Sequence, residues 1–240
     1  MLREKVVTQL AKELKAYANS KKESFLLVHG AGSLAHSLAK RYDLANLKRP
    51  HKNVSGITQT HHAVLLLNNL ITEIFLKKKF PVFPLLPAAL FLQREGRISQ
   101  AFLKPVGSLL EQRFIPLLYG DMVIDETSRF SICSSDQIAS YLSNVFAAKR
   151  VLFLTDVDGV FEQDPKTNPQ TKMLKHIYKK DIRSLFVSYP RVSARDVTGL
   201  MQGKLQETSS IPCSVQVLNG LKKGNFFRAL KGEHVGTLII

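Results

Sequence analysis

The sequence predicts an α/β fold on a mostly parallel sheet, and three observations carry that prediction. Apolar strand-like runs alternate with segments of helical period along most of the chain. In RVLFLTDVDGVF the apolar run is unbroken, as expected of a strand covered on both faces. The stretch FLLVHGAGSLAH, Phe25 to His36, climbs to a histidine, breaks at Gly30-Ala31-Gly32-Ser33 and resumes as Leu34, Leu38 and Ala39 at helical spacing. That pattern is a strand passing through a tight turn into a helix.

Taken in order, the amphipathic MLREKVVTQLAKELKAY predicts a first helix over about residues 3–18. FLLVH follows as a strand, then a helix near 34–41, a helix from about His61 to Lys78, and the PVFPLLP strand. Phe91 to Gln112 is the weakest stretch in periodicity, and Gly96-Arg97 within it marks a hairpin over the active site. RFIPLLYGD, a short FSI element and a helix from Asp136 to about Ala148 precede the RVLFLTDVDGVF strand. SVQVLNG and HVGTLII supply two closing strands. With no repeat, low-complexity block or long linker, residues 1–240 are expected to form one domain.

A chain of 240 residues with 45% hydrophobic side chains can bury a substantial core. No apolar run approaches the roughly 20 residues that span a bilayer, and the first helix has mixed charge unlike a signal peptide, so a cytoplasmic protein with no membrane partner is expected. The net charge of +15 suits either a nucleic acid or small polyanions. Lys21-Lys22, Lys77-Lys78-Lys79, Lys172 to Arg183 and Lys222-Lys223 are scattered without interleaved stacking aromatics, so nucleic acid is not expected. Cys133 and Cys213 lie far apart with no CxxC companion and read as two reduced core thiols. His61 and His62, adjacent on a helix, point about 100° apart, and no metal site is expected.

Gly30 to Ala35 formally fits G-x-G-x-x-G/A, which in a dehydrogenase requires an acidic residue about 20 positions later. The sequence there, RPHKNVSG, has no carboxylate, which excludes that reading. The physical content of the loop survives: small residues let backbone N–H groups approach an anion, and the helix that follows adds its positive end. His36 stands close enough to that helix start to swing back toward the same anion. Asp121 follows an apolar strand, and Ser134, Ser135 and Asp136 open a helix, with Ser134 and Gln137 forming a capping-box pattern. Asp156 and Asp158 sit at the end of a buried-looking strand, where open α/β sheets bind ligands. An ordinary Asp-Gly turn explains Asp158 with Gly159 but leaves Asp156 unexplained. VTGLMQGKL adds Thr198, Gly199, Gly203 and Lys204. Two anion-binding loops and a lysine are what phosphoryl transfer needs to hold two phosphorylated substrates together.

The ordered set VHGAGSLAH, GITQTHHAVLLLN, PLLYGDMVID, FSICSSDQIASYL, LTDVDGVFEQDP, DVTGLMQGK and GTLII closely resembles the isopentenyl phosphate kinase family of the amino acid kinase superfamily. It is similar also to the fosfomycin kinase branch, which has Ser-Ser-Asp where this chain has Ser134 to Asp136. The resemblance implies a three-layer αβα sandwich, with acceptor-binding residues in about 1–130 and nucleotide-binding residues in about 131–240. It implies a homodimer that uses ATP and Mg2+ to phosphorylate a small phosphate or phosphonate monoester. By the same carry-over His36, Lys204 and Asp136 are catalytic; Gly30, Ala31, Gly32, Ser33, His36, Gly120, Asp121 and Ser135 bind the acceptor. Gly32, Thr155, Asp156, Val157, Asp158, Gly159, Gly199, Leu200 and Lys204 meet the nucleotide.

Departures accompany the likeness. Ala31, Leu34 and Ala35 replace Gly, Phe and Gly of the family loop, Ser135 replaces Gly of S-G-D, and Leu200 replaces the second Gly of T-G-G. Each swap narrows a loop that approaches phosphate. The family's first strand, with K-x-G-G-S and a further lysine, has no counterpart after Met1, so that strand is expected to be missing. A late start and a catalytically impaired ligand-binding member are the two accounts of that difference.

Overall fold

The computed structural model describes residues 2–21, 23–46, 53–165, 167–188 and 200–240. It divides into two compact units, Met1–Glu4 with Glu23–Ala139 and Lys5–Lys22 with Ser140–Ile240. Among the described residues no helix is long and apolar enough to cross a membrane.

Helix α1 (Glu4–Ala18) begins with Glu4 and carries Lys15 in its last turn, each sign placed to suit the helix dipole. The chain then enters the unit that holds the first glycine loop. Strand β1 (Leu27–His29) leads to α2 (Gly32–Arg41), and the longer α3 (Val54–Lys77) follows. Helix α3 starts seven residues before the position that periodicity suggests. The reason is tertiary: Gly56 lies so close to Tyr42 that a Cβ there would stand 2.6 Å from the Tyr42 Cβ, and Ile57 is buried beside it. Packing of the end of α2 on α3 thus carries the helix through the weak formers Gly56, Thr58 and Thr60.

Strand β2 (Val82–Pro84), the short α4 (Pro87–Leu90), the hairpin β3 (Phe91–Arg94) and β4 (Arg97–Ala101), and α5 (Lys104–Glu111) come next. Strands β5 (Ile115–Tyr119), β6 (Asp121–Asp125) and β7 (Arg129–Cys133) lead into α6 (Ser135–Val145). One sheet, in the order β1-β5-β2, is wholly parallel, and every residue of its central strand β5 is buried. The other, β4-β3-β6-β7, is mixed, with β3 parallel to β6 and two antiparallel hairpins at its edges.

A buried polar network ties these hairpins to α6. Gln93, fully buried, donates to the Gly96 carbonyl at 3.0 Å and to Gln137 Oε1 at 2.7 Å. Gln137 in turn donates to the Gly96 carbonyl and accepts from the Ile98 N–H. Ser134 Oγ accepts from the Gln137 N–H at 3.1 Å, so half of the predicted capping box forms. The other half does not, because the Gln137 side chain is committed to the hairpin. Asp125 completes the network, accepting from the N–H groups of Gly96, Thr127 and Ser128 and from Ser131 Oγ.

The second unit contains most of α1, the rest of α6 and strand β8 (Arg150–Thr155). The short strands β9 (Val160–Phe161), β10 (Met173–Leu174) and β11 (His176–Ile177) follow, then α7 (Ile182–Ser188), α8 (Leu200–Thr208), β12 (Ser214–Asn219), α9 (Asn225–Leu230) and β13 (Thr237–Ile239). The sheet order is β11-β13-β12-β8, with β9 and β10 pairing apart. Contrary to the expectation of a strand covered on both faces, only Phe153 of β8 is buried, because β8 ends the described sheet and β12 takes the interior place. Cys133 is a buried thiol as expected, but Cys213 is half-exposed.

Helix α9 is clamped at both ends. The buried Glu13 of α1 accepts from the N–H groups of Gly224 and Phe227 at 2.8 and 2.9 Å, placing a carboxylate at the positive helix end. Arg150 donates to the Ala229 and Leu230 carbonyls at the other end, and its guanidinium also reaches Tyr17 Oη.

Burial pushes the Asp125 carboxyl up, but the Ser128, Gly96 and Thr127 N–H donors and the Ser131 hydroxyl overcome it and hold the group well below the usual carboxylate range. Its stabilising contribution is therefore present above the unfolded carboxylate pKa of about 4 and is lost as pH falls through the folded value. Asp125→Ala is expected to cost about 2–4 kcal/mol at neutral pH. Urea titrations should show the gap between wild type and variant narrowing as the buffer is taken from neutral into strong acid.

Candidate active site

The first glycine loop is placed by strand register. In β1 and β5, His29 stands opposite Tyr119, and the Gly120 N–H donates to the His29 carbonyl at 3.1 Å, so Gly30 and Gly120 leave the sheet side by side. A Cβ on Gly120 would lie 2.9 Å from the Ser135 backbone nitrogen and 3.3 Å from the Cys133 carbonyl oxygen. One on Gly30 would lie 3.9 Å from Ser135 Oγ. Two loops at the carboxyl ends of parallel strands and the start of α6 therefore meet, the arrangement in which open α/β sheets bind ligands.

The turn itself explains one family departure. Ala31 sits at φ −67°, ψ −10°, which any residue adopts, whereas Gly32 has φ +73° and would press a Cβ to 2.7 Å from Leu67 Cδ2. Glycine is needed at 32 and not at 31. Ala35 is buried in a cluster with Ala63, Val64 and Tyr119, against which Ala31 also packs, while Leu34 points outward. His36 lies four residues beyond Gly32 on α2, partly exposed, and Ser33 is exposed beside the turn.

Two histidines line this region. His29 stacks on Tyr119, its Nδ1 donates to the Gly30 carbonyl at 2.9 Å, and its Nε2 lies 3.2 Å from the Asn68 side-chain amide. Burial pushes its pKa down despite those two contacts. His61 Nδ1 lies 2.8 Å from Asp121 Oδ1, which also accepts from the Met122 N–H at 2.8 Å. Burial pushes the Asp121 carboxyl up, opposed by the His61 bond and charge and by the Met122 and Ala88 N–H groups. Although the Ala88 N–H favours the charged form, Asp121 Oδ2 has no partner at hydrogen-bond distance. Asp121, predicted to bind the acceptor, thus has its side chain wholly buried and turned onto His61. Tyr119 is pushed up by burial and by the Asp121 charge.

In the other unit Thr155, Asp158 and Gly159 converge with residues of β12 and β13. Thr155 Oγ1 donates to the Val157 carbonyl at 2.9 Å, and the Thr155 carbonyl accepts from the Gly220 N–H, also at 2.9 Å. Asp158 accepts from Lys222 Nζ at 2.8 Å and from Asn219 Nδ2 at 2.9 Å, which together hold its carboxyl below the usual range. A Cβ on Gly159 would run into Thr237 Oγ1, the atom that receives the Val160 N–H. So Asp158 and Gly159 are not an isolated turn: the glycine makes room for the C-terminal strand. Asp156 is exposed at the end of β8. Lys204 of α8 lays its ammonium over the Phe153 ring, 4.2 Å from the centroid, a cation–π contact two residues before Thr155. Gly199 lies outside the described residues, and Leu200 opens α8. Among the described residues no three histidine, cysteine or carboxylate side chains gather as a metal cluster.

The sequence model described as the amino acid kinase family matches residues 2–211. The chain belongs to the amino acid kinase family. It is similar to the isopentenyl phosphate kinase of Methanothermobacter thermautotrophicus, with 34% identity over 232 residues that cover 92% of this chain and 86% of that protein. It is also similar to that of Methanocaldococcus jannaschii, at 30% identity over 98% of this chain and 88% of the relative. Among solved structures, one of an isopentenyl phosphate kinase superposes with a TM-score of 0.85 at 28% identity, covering 99% of this chain and 91% of that one. The uridylate kinase of Archaeoglobus fulgidus, at 17% identity, shares the fold with a TM-score of 0.67 over 98% of this chain and 92% of its own.

In this family member the structure brings together Gly30, Gly32, Gly120 and Ser135 in one unit, with Asp136 in the first turn of α6, and Thr155, Asp158 and Gly159 in the other. Sequence reading gave no site role to His29, Asn68, Asn219 or Lys222. The signal for the last two was the polar Asn-Gly at the end of the SVQVLNG strand. Gly120→Ala is expected to cost about 1–3 kcal/mol by overpacking against the Ser135 backbone, while Gly30→Ala, in ordinary contact, costs under about 1 kcal/mol. Denaturant titrations of both variants check this; equal effects would refute the close approach as the reason for glycine at 120.

Proposed function

We propose that the chain is an ATP-dependent kinase that phosphorylates isopentenyl phosphate to isopentenyl diphosphate. The observation that carries this reading is the likeness over nine-tenths of the chain to a protein named isopentenyl phosphate kinase, 34% identical. The glycine loop at the ends of β1 and β5 supports it, because backbone N–H groups at a strand-to-helix turn suit a phosphate. An impaired ligand-binding member and a fosfomycin-type kinase are not favoured by relatives of this kind.

In the reaction an acceptor phosphate oxygen forms a bond to the γ-phosphorus of ATP as the bridging bond to the β-phosphate breaks. ADP leaves with that electron pair. The work of the protein is to hold like charges and neutralise what develops between them. In this reading the Gly30 to Ser33 loop and Ser135 hold the acceptor phosphate, and His36 donates a hydrogen bond to it. Asp136, in the first turn of α6, orients cationic partners. The LTDVDG turn and Gly199-Leu200 meet the nucleotide, and Lys204 neutralises its phosphates. Magnesium belongs to the same reading, bound mainly by the ATP phosphates, as is usual for this ion. So do a homodimer and a cytoplasmic location.

Phosphorus NMR of the chain with ATP, Mg2+ and isopentenyl phosphate should show isopentenyl diphosphate and ADP forming together. Lys204→Ala should weaken ATP binding by about 1–3 kcal/mol, the scale of a charge-assisted hydrogen bond. His36→Ala should raise the acceptor KM and lower kcat while leaving ATP affinity near wild type. If His36→Ala instead loses ATP and keeps the acceptor in calorimetric titrations, the glycine loop belongs to the nucleotide.

A further inference from the structure

Helix α3 presents an imidazole fixed at one nitrogen and open at the other. His61 Nδ1 is held at 2.8 Å by Asp121, whose side chain is wholly buried, while 30% of the His61 side chain remains exposed. No partner is found for Nε2 among the described residues, and since Nδ1 faces the buried carboxylate, the exposed edge is the one that carries Nε2. The carboxylate fixes the tautomer, with the proton on Nδ1. On a ring so held Nε2 donates only from the doubly protonated imidazole, the form that an anion placed at that nitrogen selects.

The position of the pair bears on what Nε2 meets. Asp121 directly follows Gly120, the residue that packs on the Ser135 backbone and bonds the His29 carbonyl beside Gly30. Ala63 and Val64, within one turn of His61, pack with Ala35 and Tyr119 and against Ala31 of the glycine loop. The dyad therefore belongs to the loop cluster at the ends of β1 and β5. The carboxylate that holds the ring is itself incompletely matched: Asp121 Oδ2, in a residue only 3% exposed, has no partner at hydrogen-bond distance, although the Ala88 N–H acts on the group. A site whose buried polar atoms lack protein partners is completed by water or a ligand.

Resting on the acceptor-site reading given under the proposed function, we propose that His61 is a second acceptor-binding histidine. Its Nε2 donates to the acceptor's phosphate, and Asp121 is a positioning residue that acts through it. His62, exposed on the next face of the helix, takes no part.

The geometry of the two nitrogens supplies the test. A glutamine amide reaches about where Nε2 stands, and an asparagine amide about where Nδ1 stands. With ATP and isopentenyl phosphate as substrates, His61→Ala should raise the acceptor KM at least tenfold with the ATP KM unchanged. His61→Gln should recover most of that loss and His61→Asn little of it. Asp121→Asn should raise the acceptor KM in wild type but add little to His61→Ala. If asparagine preserves acceptor binding better than glutamine, the bond to Asp121 alone matters, the role is structural, and the proposal is overturned. A titration that does not depend on turnover separates this from the function itself: inorganic phosphate added to nitrogen-15-labelled protein should move the His61 Nε2 resonance. Absent turnover with a moving resonance overturns isopentenyl phosphate as the acceptor and keeps the anion site, whereas a still resonance overturns the role of His61 whatever the turnover.

Discussion

The Gly120 N–H donating to the His29 carbonyl is the contact on which the first unit's functional end depends. It continues the parallel register of β1 and β5 one residue past the strands, so both chains leave the sheet at the same level. The start of α6 lies against Gly120, where a Cβ would stand 2.9 Å from the Ser135 backbone nitrogen and force a shift. Glycine at 120 is thus a packing requirement at a backbone crossing, while glycine at 32 is a conformational one, set by its positive φ.

Around that crossing the fold spends buried polar groups on position. Gln93, Gln137, Ser131 and Asp125 fasten two hairpins to the first turn of α6, and nearly every polar atom among them is matched. A network satisfied to that degree specifies one arrangement, since any shift leaves a buried donor or acceptor without its partner. The helix start carrying Ser135 and Asp136 is held by this network from one side and by Gly120 from the other. The second unit uses a different device, with Glu13 and Arg150 gripping opposite ends of α9 according to the helix dipole.

The contrast between the two aspartates at strand ends is instructive. Asp125 is surrounded by donors and is held ionised; Asp121 receives fewer, leaves one oxygen without a partner, and has its carboxyl pushed up by burial. One is built as a structural knot and the other as half of a dyad with His61. The chemical difference between them is not in the residue type but in how many N–H groups the backbone turns toward each.

Alternation of apolar strands with helical segments, the glycine loop after FLLVH, the hairpin at Gly96-Arg97 and the helix that begins after Ser134 were all legible in the order of residues, because each depends on neighbours a few positions apart. Family membership was legible for the same reason, as several short motifs in a set order. Three-dimensional contact decided the rest. The early start of α3 depends on Tyr42, the partial burial of β8 on its place at the end of a described sheet, and the orientation of Gln137 on a hairpin some forty residues away. The pairing of His61 with Asp121 joins residues 60 positions apart, and that of Asp158 with Lys222 joins residues 64 apart. No local pattern encodes such partners: a side chain's charge state and direction are set by whichever groups the fold brings within about 3 Å. The sequence by itself determined which segments turn, and only the tertiary structure decided what each turned segment faces.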